Sequence, residues 1–157
     1  MEVLIRKGVK SDLPAVLDLI KELADFERAL NEVTVSLEDL EHDGFGNHPY
    51  YWFIVAEKEG EIIGLSFYFI RYSTWKGRFL FLEDFVVKES FRNKGVGALL
   101  FEETIRIAKE LDVKGMTWQV LDWNKNAIRF YEKYNSDIST EWYNGKLTYE
   151  QLKQFTL

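Results

Sequence analysis

Residues 81–98 read Phe81-Leu82-Glu83-Asp84-Phe85-Val86-Val87-Lys88-Glu89-Ser90-Phe91-Arg92-Asn93-Lys94-Gly95-Val96-Gly97-Ala98, and this stretch decides how the chain is read. An apolar strand with adjacent carboxylates at Glu83 and Asp84 runs into Arg92-Asn93-Lys94-Gly95-Val96-Gly97. After it, Leu99, Leu100, Phe101, Ile105 and Ile107 begin a helical pattern. Two glycines at a helix start let the backbone close on an anion. Successive N–H groups point into the turn, and the positive end of the helix dipole lies behind them. Arg92 and Lys94 add charge. The stretch predicts a phosphate cradle, with an ordinary glycine turn as the competing reading.

Spacing separates the motifs that could claim such a loop. A P-loop needs Gly-Lys-Ser/Thr, whereas Lys94 precedes the glycine here. A dinucleotide fingerprint needs a third small residue where Leu100 stands. Arg-x-x-Gly-x-Gly at the head of a helix, after an apolar strand, instead resembles the pyrophosphate loop of the GCN5-related N-acetyltransferases, which bind acetyl-coenzyme A.

The 157 residues suffice for one domain with a proper core and are too few for two typical ones, so a single domain over 1–157 is expected. Aromatics reach 16% with five tryptophans, enough that some rings should line a pocket or a subunit contact as well as the core. The absence of cysteine excludes disulfides and thiolate catalysis. With only His42 and His48 besides, no metal site is expected. A formal charge of −6 argues against a general nucleic-acid binder and favours cationic substrates. The amino terminus turns polar at Arg6-Lys7 and no apolar run is long enough to span a bilayer, so a cytoplasmic protein without membrane attachment is expected.

Along the chain, a strand over Glu2 to Arg6 precedes Ser11, read as an N-cap, and an amphipathic helix carrying Leu13, Val16, Leu17, Ile20, Leu23 and Ala24. A shorter helix should start at Ser36 and end near Asp43-Gly44. Tyr51 to Glu57 and Glu61 to Arg71 read as strands joined by a turn at Lys58-Glu59-Gly60, and Arg78 to Val87 as a third. A helix from Gly95 to Leu111, a strand over Met116 to Leu121 and a helix from Asn124 to Lys133 follow. Antiparallel strands succeeded by strand, helix, strand, helix predict a mixed α/β (α+β) domain with a parallel crossover in its second half.

That order also matches the N-acetyltransferase family, as does Trp123-Asn124-Lys125-Asn126-Ala127-Ile128-Arg129-Phe130-Tyr131, with its asparagine after the fifth strand and its Phe-Tyr pair. Ile20-Lys21-Glu22-Leu23-Ala24, Asp43-Gly44-Phe45-Gly46-Asn47-His48-Pro49, Leu82-Glu83-Asp84-Phe85 and Trp123-Asn124 resemble the spermidine/spermine branch, which includes thialysine acetyltransferases. Three departures stand out. Phe26 replaces a frequent tyrosine, Asn135 a usual glycine, and Asn144-Gly145 signals a turn where the family continues a strand. Asn135 tolerates a left-handed cap, so the turn there should survive.

The resemblance implies the acyl-CoA N-acyltransferase fold, a mixed sheet with a splayed, bulged strand and flanking helices. It puts acetyl-coenzyme A contacts on Phe85, Val86 and Val87, on Arg92, Asn93, Lys94, Gly95, Val96, Gly97 and Ala98, and on Asn124, Asn126, Ala127 and Tyr131. Phe26, Glu27, Glu83, Asp84, Glu141 and Trp142 become candidate substrate contacts, and a homodimer is implied. Neighbours on a strand face opposite ways unless it is bulged. The family's bulge would bring Glu83 and Asp84 together and free an N–H near Phe85 for the thioester oxygen.

Acetyl transfer needs a neutral amine, yet an alkylamine of pKa about 10.4 is neutral in about one molecule in 2,500 at pH 7, a deprotonation cost of roughly 4.6 kcal/mol. Glu83, on the strand that delivers the chain to the phosphate loop, is the candidate base, directly or through water. Tyr131 is the candidate general acid for the departing thiolate, a transfer uphill by roughly 2 kcal/mol from a phenol near 10 to a thiol near 8.5. A polyamine or diamine is the expected substrate. Thialysine, another amino acid or a peptide amine, and a non-catalytic sensor of acetyl-coenzyme A or polyamine, are the alternatives.

Overall fold

Glu59 and Gly60 both take positive φ, 50° and 81°. That tight turn folds β2 (Trp52–Lys58) back onto β3 (Glu61–Ser73), as the Lys58-Glu59-Gly60 signal predicts. The computed structural model describes residues 2–156, which divide into two compact units between Leu121 and Asp122.

The first unit is built on one five-stranded sheet in the order β1 (Leu4–Lys7), β2, β3, β4 (Gly77–Val87) and β5 (Met116–Trp118). The first four strands pair antiparallel. β5 lies parallel to β4, reached through α3 (Val96–Glu110), which is the expected crossover. Pleating divides the strand side chains between two cores. Phe53, Val55, Leu65 and Val86 pack with Leu13, Val16 and Leu19 of α1 (Leu13–Phe26) and Leu40 of α2 (Leu37–Phe45). Ile54, Ala56 and Ile63 point the other way, onto Val96 and Leu100 of α3. One buried polar contact crosses the α3 interface, Ser66 Oγ to Thr104 Oγ1 at 2.7 Å.

Local chemistry sets the helix starts. Ser36 caps α2 as predicted, its Oγ accepting from the Asp39 N–H at 3.0 Å while Asp39 Oδ2 accepts from the Ser36 N–H at 2.8 Å. Ser11 does not cap α1. Lys10–Asp12 form a short 3-10 turn and Asp12 takes the N-cap position. The Asp12 carboxylate accepts Arg6 Nη1 at 2.8 Å, Arg6 Nη2 at 2.9 Å and the Val9 N–H at 2.8 Å. No side chain caps α1, the Asp12 carboxylate being committed to Arg6 and the Val9 N–H.

In the second unit, Asn124 Oδ1 accepts from the Ala127 N–H at 3.2 Å and caps α4 (Lys125–Glu132). Asn135 takes φ 57°, the left-handed conformation expected of it. Residues 136–148 have no regular secondary structure, so Asn144-Gly145 closes no hairpin. α5 (Tyr149–Gln154) follows, capped by Thr148. Among the described residues no helix is long and apolar enough to cross a membrane.

Gly64 sets how closely α3 approaches the sheet. A Cβ there would lie 2.8 Å from Leu100 Cδ1, 3.3 Å from the Ala56 Cβ and 3.4 Å from the Val86 carbonyl. Leu100 is fully buried and has nowhere to move. Gly64→Val should therefore lower the unfolding free energy by about 1–3 kcal/mol through overpacking, read from the urea midpoint. An unchanged midpoint would mean that α3 is free to shift outward.

Candidate active site

β4 and β5 pair only through Leu80–Met116, Phe81–Thr117 and Leu82–Trp118. β5 then ends, three residues short of the strand over Met116 to Leu121 that the sequence predicts. The β4 register against β3 slips at the same point: Tyr68 faces Leu82, Phe67 faces Asp84, and Glu83 has no partner. Glu83 is thus the extra residue of a β-bulge. A bulge bends its strand and breaks the alternation of side chains, which is what two consecutive acids on an apolar strand require.

From Asp84 to Val87, β4 pairs with β3 and no longer with β5, and the direction of its backbone groups follows from parity. Lys88 donates its N–H to the Ile63 carbonyl at 2.9 Å, one position beyond the Val87–Gly64 pair. Antiparallel pairs alternate between bonded and unbonded, so Val86 and Asp84 also turn their backbone groups toward β3. Phe85 and Val87 turn theirs away, to the side β5 has left. The Val87 carbonyl bears this out by accepting Arg92 Nε at 2.9 Å. The Phe85 and Val87 N–H groups face that same side.

The chain then enters the predicted cradle. Asn93 and Gly95 both adopt left-handed backbone, φ 58° and 83°, and Gly95 is the N-cap of α3 with no side chain capping it. The first helical bond is from the Leu99 N–H to the Gly95 carbonyl, 3.2 Å, so the N–H groups of Val96, Gly97 and Ala98 have no intrahelical acceptor. A 15-residue helix presenting three amides beyond a glycine cap suits a phosphate. The loop cations are tied back: Lys94 Nζ donates to the Ser90 carbonyl at 3.0 Å, and Arg92 turns toward α1.

Glu83, Asp84 and Glu27, the last following the C-terminus of α1, form an acidic cluster. Glu83 is exposed while Asp84 and Glu27 are half-buried. Burial, then the charges of Glu83 and Glu27, push the Asp84 carboxyl up to about 6. Burial also raises the Glu27 carboxyl above its ordinary value. Like charges held together against their own repulsion mark a site kept for something other than stability. Phe26 is partly exposed beside them.

The cluster has a measurable cost. The folded carboxyl of Asp84 lies near 6 against an ordinary 3.8, so the native state holds the proton more tightly and stability falls as pH rises between these values. Above them, holding the charged form costs about 3 kcal/mol at 1.36 per pH unit. Asp84→Asn should therefore stabilise the protein at about pH 7.5 by roughly 1–3 kcal/mol in urea unfolding, with the gain vanishing near pH 4. No gain at the higher pH would mean that the carboxylate is solvated and the cluster open.

The remaining predicted site residues belong to the second unit. Asn124 is engaged as the α4 cap, and Asn126 Oδ1 accepts from Arg129 Nη2 at 2.5 Å. Tyr131 is buried, edge-on to Phe130 at 5.5 Å between ring centroids, and its carbonyl accepts from Ser136 Oγ at 2.8 Å. Glu141 and Trp142 are exposed in the irregular segment, Trp142 at 81%. Sequence reasoning missed Glu22. It stands one helical turn before Phe26 on α1, and its carboxylate accepts from the Glu89 N–H at 3.2 Å.

Comparison with known proteins agrees with this geometry. The Acetyltransferase (GNAT) family pattern matches residues 16–135. Thialysine N-epsilon-acetyltransferase from Bos taurus is 37% identical over 147 residues, covering 88% of this chain and 86% of its own. Spermidine/spermine N(1)-acetyltransferase-like protein 1 from Homo sapiens is 32% identical over 158 residues, 94% of this chain and 23% of that protein. In fold, the chain is similar to an aminoglycoside acetyltransferase from an uncultured soil metagenomic sample, with TM-score 0.78 at 18% identity over 93% of this chain and 97% of the other. With its cradle, its bulged strand edge and a family match spanning most of its length, the chain belongs to the acetyltransferase (GNAT) family and is an enzyme of that family.

Proposed function

We propose that the protein transfers an acetyl group from acetyl-coenzyme A directly to a primary amine of a small substrate with two or more cationic groups, a polyamine or diamine. The gathering of Glu27, Glu83 and Asp84 beside the end of β5 carries this reading. One carboxylate suffices to remove a proton. The others have no task in acetyl transfer unless they hold a second cation.

Acetyl-coenzyme A supplies the thioester, and this chain's groups do the rest. The Val96, Gly97 and Ala98 N–H groups hold the pyrophosphate, with Gly95 keeping the approach open. The outward N–H groups of Phe85 and Val87 receive the pantetheine arm, and one of them receives the thioester oxygen as it gains charge. Val86 supports this edge from the core, and Asn124, Asn126 and Ala127 complete the cofactor contacts. Glu83, exposed at the bulge, takes the amine proton directly or through water and passes it to solvent. The new C–N bond forms as the C–S bond breaks, Tyr131 protonates the departing sulfur, and the second proton, shed by the acylated nitrogen to solvent, is balanced by reprotonation of the Tyr131 phenolate from solvent. The choice of Tyr131 is supported by its motif, by the lack of cysteine and by the confinement of both histidines to residues 42–48. We place the enzyme in the cytoplasm as a homodimer, with Glu141 and Trp142 as further substrate contacts.

A second reading, thialysine or a similar amino acid as substrate, is favoured by the 37% identical Bos taurus relative. Such a substrate brings a carboxylate that three clustered acids repel, so it would need a cation the polyamine does not.

Tyr131→Phe keeps the ring and removes the proton. Turnover should fall by about 10²-fold or more with acetyl-coenzyme A affinity nearly unchanged, measured by thiol release and calorimetry. Near-normal turnover with chemistry rate-limiting would remove Tyr131 from the mechanism.

For the substrate, kcat/KM should be compared for spermidine, a short diamine, thialysine, lysine and a simple alkylamine at two ionic strengths. The diamine should exceed the equal-length monoamine, and added salt should raise its KM more, because screening weakens the distal ion pair. Preference for the monoamine, or equal salt dependence throughout, would contradict the polyamine reading, and preference for thialysine would establish the second one.

A further inference from the structure

Arg92 belongs to the phosphate loop by sequence, yet its side chain serves α1. Its Nε donates to the Val87 carbonyl at 2.9 Å, its Nη2 lies 3.6 Å from Glu22 Oε1, and its guanidinium carbon sits 5.5 Å from the centre of the Phe26 ring. The same Glu22 oxygen accepts the Glu89 N–H at 3.2 Å, on the short turn between β4 and the loop. One guanidinium thus touches the strand edge and two residues of the last turns of α1, and Glu27 follows Phe26 directly.

We propose that Arg92 is a positioning residue that couples acetyl-coenzyme A binding at the α3 loop to amine binding at Glu27 and Asp84, by clamping the end of α1 to the end of β4. This rests on the amine-acetyltransferase reading above. The planar fork of arginine suits the role, because it can satisfy a carbonyl, a carboxylate and an aromatic face at once, whereas lysine offers a single point charge. The clamp is too exposed to matter much for stability: both side chains are about one-third accessible, 37% and 35%, and solvent screens such pairs. Its effect is on placement. When the loop closes on a pyrophosphate, Arg92 holds Val87 and Phe26 in fixed relation, and the separation of Glu27 from Asp84 is fixed with them.

The test uses Glu22→Gln, Arg92→Met, Arg92→Lys and the Glu22→Gln/Arg92→Met pair. Kd for a diamine is measured with and without coenzyme A, alongside acetyl-coenzyme A Kd, kcat, KM and melting temperature. Glu22→Gln should raise diamine KM by about 3- to 10-fold, with kcat and acetyl-coenzyme A Kd held within about twofold. Bound coenzyme A should tighten diamine binding in the wild-type protein, and no tightening there overturns the proposal; the effect should be lost in Arg92→Met and partly restored in Arg92→Lys. The double variant should be no worse than Arg92→Met alone, since both changes break one link. If Arg92→Met weakens acetyl-coenzyme A while leaving diamine affinity and its coupling intact, Arg92 is a phosphate ligand and the proposal fails. Equal changes in melting temperature with no change in KM would also overturn it, as a merely structural tie. A wild-type protein that neither binds nor acetylates any amine would overturn the functional reading itself, an outcome read before any variant is made.

Discussion

Everything proposed for this protein depends on β4 having a partner strand on both sides over Leu80–Leu82 and on one side only beyond. A strand inside a sheet has no spare hydrogen-bonding groups. One released from a neighbour has a row of them, and water or a ligand must satisfy them. Here the released row ends at a glycine-capped helix start, so amides suited to an extended amide-bearing chain lead to amides suited to a phosphate. A pantetheine arm joined to a pyrophosphate has that sequence of groups.

The bulge at Glu83 links this edge to the acids. Without the extra residue, Glu83 and Asp84 would project to opposite faces. With it, Asp84 feels the charges of both Glu83 and Glu27. The cost of crowding three carboxylates is met by the two cores that grip β4: Val86 among the α1 and α2 side chains, and Phe85 and Val87 against α3. A strand held this firmly can carry an unfavourable charge at its exposed bend.

Much of this was legible in the sequence because it depends on near neighbours. The Glu59-Gly60 turn, the Ser36 capping box, the glycine cap at Gly95 and the left-handed Asn135 are local events, and their residue types announce them. What was not legible involves distant partners. Ser11 falls inside a 3-10 turn and Asp12 stands at the α1 N-cap position, where Arg6 grips its carboxylate. β5 stops at Trp118 although Gln119-Val120-Leu121 could continue a strand by composition, since β4 has bent away. Arg92 reads as a phosphate cation, but Glu22 and Phe26, about seventy residues upstream in the chain, claim it.

The most direct test of the central claim is an amide-resolved titration of ¹⁵N-labelled protein with acetyl-coenzyme A. The account predicts that the largest shift changes and the strongest gain in exchange protection fall on Phe85, Val87, Val96, Gly97 and Ala98, with Val86 and Asp84, whose amides already face β3, moving least along the strand. Binding that leaves the Phe85 and Val87 amides unchanged, or that perturbs Val86 and Asp84 instead, would contradict it.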